Sequence, residues 1–238
     1  MRQWPLVTLG GLLLLLSAHA TTEDRERDAR RRALPRIKRL FAEAGLAYPP
    51  RELVLRALKH EQQLEVWGGD GSKAMTLLKI YAFTATSGRL GPKRKEGDLQ
   101  IPEGFYQIVG FNPRSSYHLS LRLNYPNASD RILSDKQSPG SDIMIHGNAV
   151  TVGCIPIGDE GIEELYTIAR DASRLAPITV QIYPTRLTSA RLSAIAEAQP
   201  EHRGFWQNLA EGFALFELKR RPLSIKVLPT GRYAYEVR

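Results

Sequence analysis

The 238-residue sequence holds a single cysteine, Cys154, and five histidines. One cysteine excludes an internal disulfide and any metal site built from clustered thiolates. No His-x-x-x-His pair occurs either, so no metal and no cofactor is expected. The Gly-x-Ser-x-Gly elbow of serine hydrolases is missing too. Aromatic residues make up 8% of the chain and are not interleaved with its basic runs. With no nucleic-acid motif in view, that sets nucleic acid aside as a partner. Internal repeats and low-complexity segments are absent, and the apolar run at residues 6–17 is short for a stable membrane span.

That run fits a secretory signal. Arg2 supplies the positive start, residues 6–17 the apolar centre, and Ala18-His19-Ala20 a small-x-small cleavage site. Residues 1–20 are therefore expected to be a signal peptide that exports the rest to the periplasm, with membrane contact only through that segment. The competing reading is an uncleaved anchor. Export changes the meaning of a lone cysteine, which then points to an intermolecular bridge or a reactive thiol. The bland alternative is a buried cysteine acting as a small hydrophobe. The net charge is +8, with basic clusters at residues 25–39, 93–95 and 219–221. In an exported chain this favours polyanionic partners, such as carboxylate-rich cell-wall peptides or acidic headgroups.

Residues 25–44 place Leu34, Ile37, Leu40, Phe41 and Ala44 at helical spacing, with Pro35 marking where order begins. Gly45 ends this helix, and Tyr48-Pro49-Pro50 stiffens the connector, so residues 21–50 read as a helix and linker. From Leu53 onward strands dominate: 53–59 with 63–67 as a hairpin, then 75–84, 104–109 and 117–123. The last alternates, putting Tyr117, Leu119, Leu121 and Leu123 on one side, with His118 opposite as a weak second histidine candidate. His60 and His202 read as exposed and inert. Residues 86–97 form a glycine-rich loop, and 124–141 an irregular stretch placed as a flap. Asp159 is positioned to cap a helix that buries Ile162, Leu165, Ala169 and Ala172. A strand at 178–183, helices at 189–197 and 203–218, and a hairpin of 223–228 with 233–237 complete the chain.

The chemistry concentrates in residues 142–159, DIMIHGNAVTVGCIPIGD. A short apolar strand ends in His146, Gly147 and Asn148 allow a tight turn, and the chain returns through Gly153 to Cys154. A thiol and an imidazole on the two arms of one bend suit a cysteine nucleophile with its base. Asp142 and Asp159 flank the bend without an identifiable acid–base partner.

The segment I-H-G-x(5)-G-C resembles the signature of L,D-transpeptidase (YkuD-type) catalytic domains, and GDLQIPEGFYQI at residues 97–108 resembles that family's T-P-x-G-x-[FY] element. The similarity runs through most of the chain after Tyr48, including GDEGIEELY and FWQNLAEGF. It is strongest toward the exported murein branch that includes the amidase detaching lipoprotein from peptidoglycan. Thr151-Val152 stands where the wider family has Ser-His, and Pro156 replaces the usual polar residue after the cysteine.

The resemblance implies a mostly β fold with flanking helices (α+β), a curved sheet or barrel-like sandwich. Residues 51–184 would be the catalytic domain, and 185–238 helices and a hairpin packed on it. It implies Cys154 as nucleophile and His146 as base, the Gly147 carbonyl orienting the imidazole, and backbone N–H groups at Gly153 and Cys154 stabilising an oxyanion. Pairing of thiol and imidazole would lower the thiol pKa, so that Cys154 alkylates rapidly at neutral pH. The implied substrates are peptidoglycan stem peptides cut at diaminopimelate through a thioester, with wall-linked lipoprotein as a further partner and a monomer as the working state. Alternatives are a hydrolytic amidase of the same fold, a non-catalytic wall-binding module, and a papain-like peptidase. The last expects its histidine far downstream of the cysteine.

Overall fold

The computed structural model describes residues 22–237, and the expected signal segment at 1–20 lies outside them. Eight strands form one curled sheet: β1 (Glu52–Leu58), β2 (Gln63–Gly69), β3 (Thr76–Ala82), β4 (Gly104–Asn112), β5 (Ser120–Leu123), β6 (Met144–His146), β7 (Ile155–Pro156) and β8 (Thr179–Tyr183). Their spatial order is β3-β2-β1-β8-β4-β5-β6-β7. Five α-helices flank it: α1 (Thr22–Glu43), α2 (Ala128–Leu133), α3 (Gly158–Ala172), α4 (Ser189–Ala198) and α5 (Arg203–Lys219). A separate hairpin, β9 (Leu223–Val227) with β10 (Tyr233–Val237), follows. The architecture is α+β. None of the described helices is long and apolar enough to cross a membrane.

The central strand β1 is covered on both faces, because alternate residues serve different cores. Leu53, Leu55 and Ala57 join the layer under α1 and α3, whereas Val54 and Leu58 join the layer under α4, α5 and the hairpin. Arg56 points into the second layer, fully buried, with its guanidinium 4.6 Å from the Phe213 ring and 4.5 Å from that of Phe216. Lys59, at the end of β1, donates to the Gly91 and Ile101 carbonyls and to Glu103 Oε1 at 2.8 Å. The other Glu103 oxygen accepts the Trp206 indole N–H at 2.7 Å, which ties α5 to the loop before β4.

Three local expectations are corrected. Pro35 does not open α1 but lies inside it, on the exposed side. The helix survives because Ala29, Ala33, Ile37 and Phe41 form a buried stripe on both sides of the proline. Ion pairs Arg30–Asp171, Arg32–Glu163 and Arg36–Glu164 pin the same helix to α3. Burying Ile37 and Phe41 alone contributes about 1.5–3 kcal/mol each, which offsets the ~3 kcal/mol an interior proline costs. Asp159 does not cap α3. The cap position is Ile157, without a side-chain bond, and Asp159 Oδ1 instead accepts the Asn148 N–H at 2.7 Å. The stretch 124–141 is not wholly irregular, since α2 forms there on a reciprocal capping box between Asn127 and Asp130.

Candidate active site

The bend between His146 and Cys154 is not a hairpin. β6 and β7 pair in parallel, Ile145 opposite Ile155 and His146 opposite Pro156. Ile145 and Ile155 both enter the core, so the alternating residues Met144, His146, Cys154 and Pro156 belong to the other face. The antiparallel neighbour β5 adds Ser120 opposite His146 and Arg122 opposite Met144 on that same face. Thiol and imidazole thus share one side of the sheet, two positions apart along paired strands.

Two glycines make the loop between them possible. A Cβ at Gly147 would lie 2.5 Å from Asp159 Oδ1 and 2.8 Å from the Tyr117 carbonyl oxygen. Gly153 adopts φ +83°, which side chains rarely tolerate, and a Cβ there would press on the Gln100 carbonyl at 3.0 Å. Val152 is left 70% exposed at the surface of the loop.

His146 Nδ1 lies 2.6 Å from the Gly147 carbonyl. A carbonyl only accepts, so Nδ1 carries the proton and Nε2 keeps its lone pair. The ring is 1% exposed, and burial pulls its pKa below the ordinary imidazole value, against an opposing contribution from the Gly147 bond. The Cys154 sulfur accepts the Met144 N–H at 3.4 Å. Burial pushes the thiol above its ordinary value; the Met144 bond opposes this, Asp142 adds to the rise and Lys93 offsets it. At rest both partners are therefore neutral, and among the described residues no hydrogen bond joins the sulfur to the imidazole. This reverses the expected lowering of the thiol pKa: desolvation acts on both groups, and no ion pair is present to outweigh it.

The two N–H groups expected to face an oxyanion are already engaged. Gly153 N–H donates to Ser87 Oγ at 2.8 Å, and Cys154 N–H to Thr151 Oγ1 at 3.0 Å. Neither hydroxyl was singled out from the sequence. Thr151 is a short-range cap three residues before the thiol, but Ser87 comes from a distant loop. Alternation alone puts Tyr117 on the leucine side. Instead β5 begins only at Ser120, His118 takes φ +71°, and the Tyr117 ring stands 4.7 Å from that of His146. His118 itself pairs with Glu163 at 2.8 Å, away from the thiol. His60 is exposed, while His202 is half-buried against Trp206. Among the described residues no group of three His, Cys, Asp or Glu side chains is arranged to hold a metal ion.

The family model described as the L,D-transpeptidase catalytic domain (YkuD) matches residues 54–182, a span reaching from β1 to β8 and enclosing both Cys154 and His146. A curated relative from Escherichia coli (strain K12), "Putative L,D-transpeptidase YafK", is 33% identical over 183 residues, covering 75% of this chain and 72% of its own. Among solved structures, the helical cell shape determining protein Pgp2 (K307A mutant) of Campylobacter jejuni is similar at TM-score 0.47 and 19% identity, over 74% of this chain and 71% of its own. Bd1075 of Bdellovibrio bacteriovorus is similar at TM-score 0.42 and 20% identity, over 68% and 56%. With the family span covering more than half of the chain and the YafK similarity extending along three quarters of it, the chain belongs to the YkuD family of L,D-transpeptidase catalytic domains.

Proposed function

We propose that this is an exported cysteine enzyme that acts on peptidoglycan stem peptides by L,D-transpeptidase chemistry. One observation carries the reading: the parallel register of β6 and β7 puts Cys154 and His146 on one face of a family catalytic domain, two positions apart along the paired strands. The neutral imidazole, with Nε2 unprotonated, is the base. When the peptide arrives, the thiol turns from the Met144 N–H toward Nε2 and transfers its proton. The sulfur bonds to the amide carbonyl carbon on diaminopimelate, and the carbonyl oxygen takes up the electron pair. The oxyanion then displaces Ser87 Oγ and Thr151 Oγ1 from the Gly153 and Cys154 N–H groups, each such donor being worth on the order of 3 kcal/mol.

As the tetrahedral intermediate collapses, the C–N bond breaks and the leaving amine takes the proton from Nε2. A thioester remains. An acceptor amine from a second diaminopimelate or from a lipoprotein lysine restores the thiol, whereas water in that role would make the enzyme an amidase. Arg122 supports a carboxylate-bearing substrate: it shares the His146 face, is about half exposed, and has the Asp142 carboxylate only at 3.7 Å.

Mass spectrometry of muropeptides incubated with purified protein tests the proposal. The expected result is a new cross-linked or shortened stem that is lost in Cys154→Ala and in His146→Ala, together with a carbapenem adduct localised to Cys154. Turnover persisting in Cys154→Ala rules out the covalent route.

A further inference from the structure

We propose that Tyr117 is a positioning residue for His146 and that the N-terminal helix α1 holds it in place. Core packing does not explain this tyrosine, which is 43% exposed while the imidazole beneath it is 1% exposed. The two rings are 4.7 Å apart and inclined by 32°, so the tyrosine covers one face of the histidine and keeps water off it.

The same residue acts a second time through its backbone. Its carbonyl accepts the Gly147 N–H at 3.1 Å, and the Gly147 carbonyl in turn receives Nδ1–H of His146 at 2.6 Å. Ring and backbone of Tyr117 therefore constrain the imidazole independently, one by its face and the other by its protonated edge. Together they leave Nε2 as the nitrogen able to accept a proton.

What holds Tyr117 lies outside the catalytic strands. Its N–H donates to Ser115 Oγ at 3.1 Å, and the left-handed turn at His118 aims the tyrosine away from the leucine face. Arg25 of α1 donates to the carbonyls of Ser115 at 3.2 Å and His118 at 3.1 Å, gripping the loop on both sides of Tyr117. A second link runs through Glu163 of α3, which binds His118 Nε2 at 2.8 Å and also accepts from Arg32 of α1 at 3.0 and 2.5 Å. The N-terminal helix is thus tied by two arginines to the loop over the imidazole.

The effect on turnover rests on the reading of His146 as the base; the effect on the imidazole itself does not. The test therefore pairs nitrogen-detected NMR of His146 with muropeptide kinetics, on the chain carrying Tyr117→Ala, Tyr117→Leu, Tyr117→Phe or Arg25→Ala. In Tyr117→Ala the backbone bond to Gly147 remains, so the Nδ1–H tautomer is expected to persist, while loss of the covering ring lets water reach the imidazole and its pKa return toward the ordinary value. Its kcat should fall at least tenfold with KM within twofold of wild type. Tyr117→Phe should keep all three properties. Arg25→Ala should shift pKa and kcat in the same direction as Tyr117→Ala, with kcat down about threefold. Tyr117→Leu keeps apolar bulk without the flat ring and serves should the alanine variant fold poorly; it is expected to move the pKa in the same direction. A wild-type His146 pKa in Tyr117→Ala or Tyr117→Leu would overturn the proposal. A protein inactive on every muropeptide but showing the NMR changes would overturn the peptidoglycan reading and leave this one standing.

Discussion

The Thr151 hydroxyl accepts the Cys154 N–H at 3.0 Å and donates to the Cys154 carbonyl at 2.8 Å, closing a small loop around the residue that bears the thiol. Thr151→Ser keeps this hydroxyl and should stay within threefold of wild-type kcat. Thr151→Val keeps the shape and removes both bonds, each worth about 1 kcal/mol, so it should lose about 2 kcal/mol of stability in urea unfolding, while the Cys154 N–H it frees for the oxyanion should hold kcat at or above the wild-type value. Steady-state kinetics on a defined muropeptide, compared across the two variants, checks this.

The directions of the two pKa shifts fix the pH profile. His146 works as a base only when neutral, and burial lowers its pKa. The acid limb of kcat/KM should therefore lie below pH ~6.5, with activity lost as pH falls through that lowered value. The thiol is raised, so the resting enzyme holds little thiolate at neutral pH. Iodoacetamide should consequently react slowly at pH 7 and faster as pH climbs into the alkaline range. Rapid alkylation at neutral pH, the expectation drawn from sequence, would mean that an ion pair forms in solution.

Arg56 is fully buried and bonds Glu217 at 2.6 Å and Glu65 at 3.3 Å. Its Nε and one terminal nitrogen find no hydrogen-bond partner among the described residues, and the guanidinium lies against the faces of Phe213 and Phe216. Arg56→Ala removes the stacked plane and leaves a void, while Glu65 keeps Arg186 and the Trp67 indole N–H, for a loss of about 2–5 kcal/mol. Arg56→Met retains the bulk and should lose less. Urea unfolding of the two variants, with an unchanged slope, measures the difference.

Asp130 is 1% exposed, and burial pushes its pKa up to about 6, opposed by the Asn127 N–H, Tyr106 and Arg94. The folded state thus binds a proton that the unfolded chain has already released, and this contribution to stability declines as pH rises from about 4 to about 6. Asp130→Asn cannot titrate and should flatten that part of the stability–pH curve. Thermal unfolding across the interval reads the slope, and parallel curves for wild type and variant would reject the assignment.

Much of the architecture was legible because the sheet is built from short apolar strands bounded by glycine and polar turns. The β1–β2 hairpin, α4, α5 and the closing β9–β10 hairpin fall within two residues of their expected limits. Three features were not legible, for separate physical reasons. The seven residues between His146 and Cys154 permit either a hairpin or a parallel return, and the core positions of Ile145 and Ile155 select the second. Alternation from Tyr117 to Leu123 mimics a longer strand, yet the left-handed conformation at His118 breaks the period and frees Tyr117. Arg56 interrupts an apolar strand and, read locally, should face solvent; only the aromatic pair on α5, more than 150 positions later, explains its burial. By contrast the Asn127–Asp130 spacing was a readable helix signal that the surrounding loop residues obscured.

The Lys59–Glu103–Trp206 chain has a consequence for any attempt to trim this protein. Removing everything past residue 184 would delete Trp206 and strand one oxygen of a wholly enclosed carboxylate. Glu103 anchors the approach to β4, where the Gln100 carbonyl stands as the backstop for Gly153. Slackening at that end would reach the nucleophile's own loop without altering one residue near it. The carboxy-terminal helices are in that sense a keystone, and a shortened version would fail by misalignment rather than by any missing reagent.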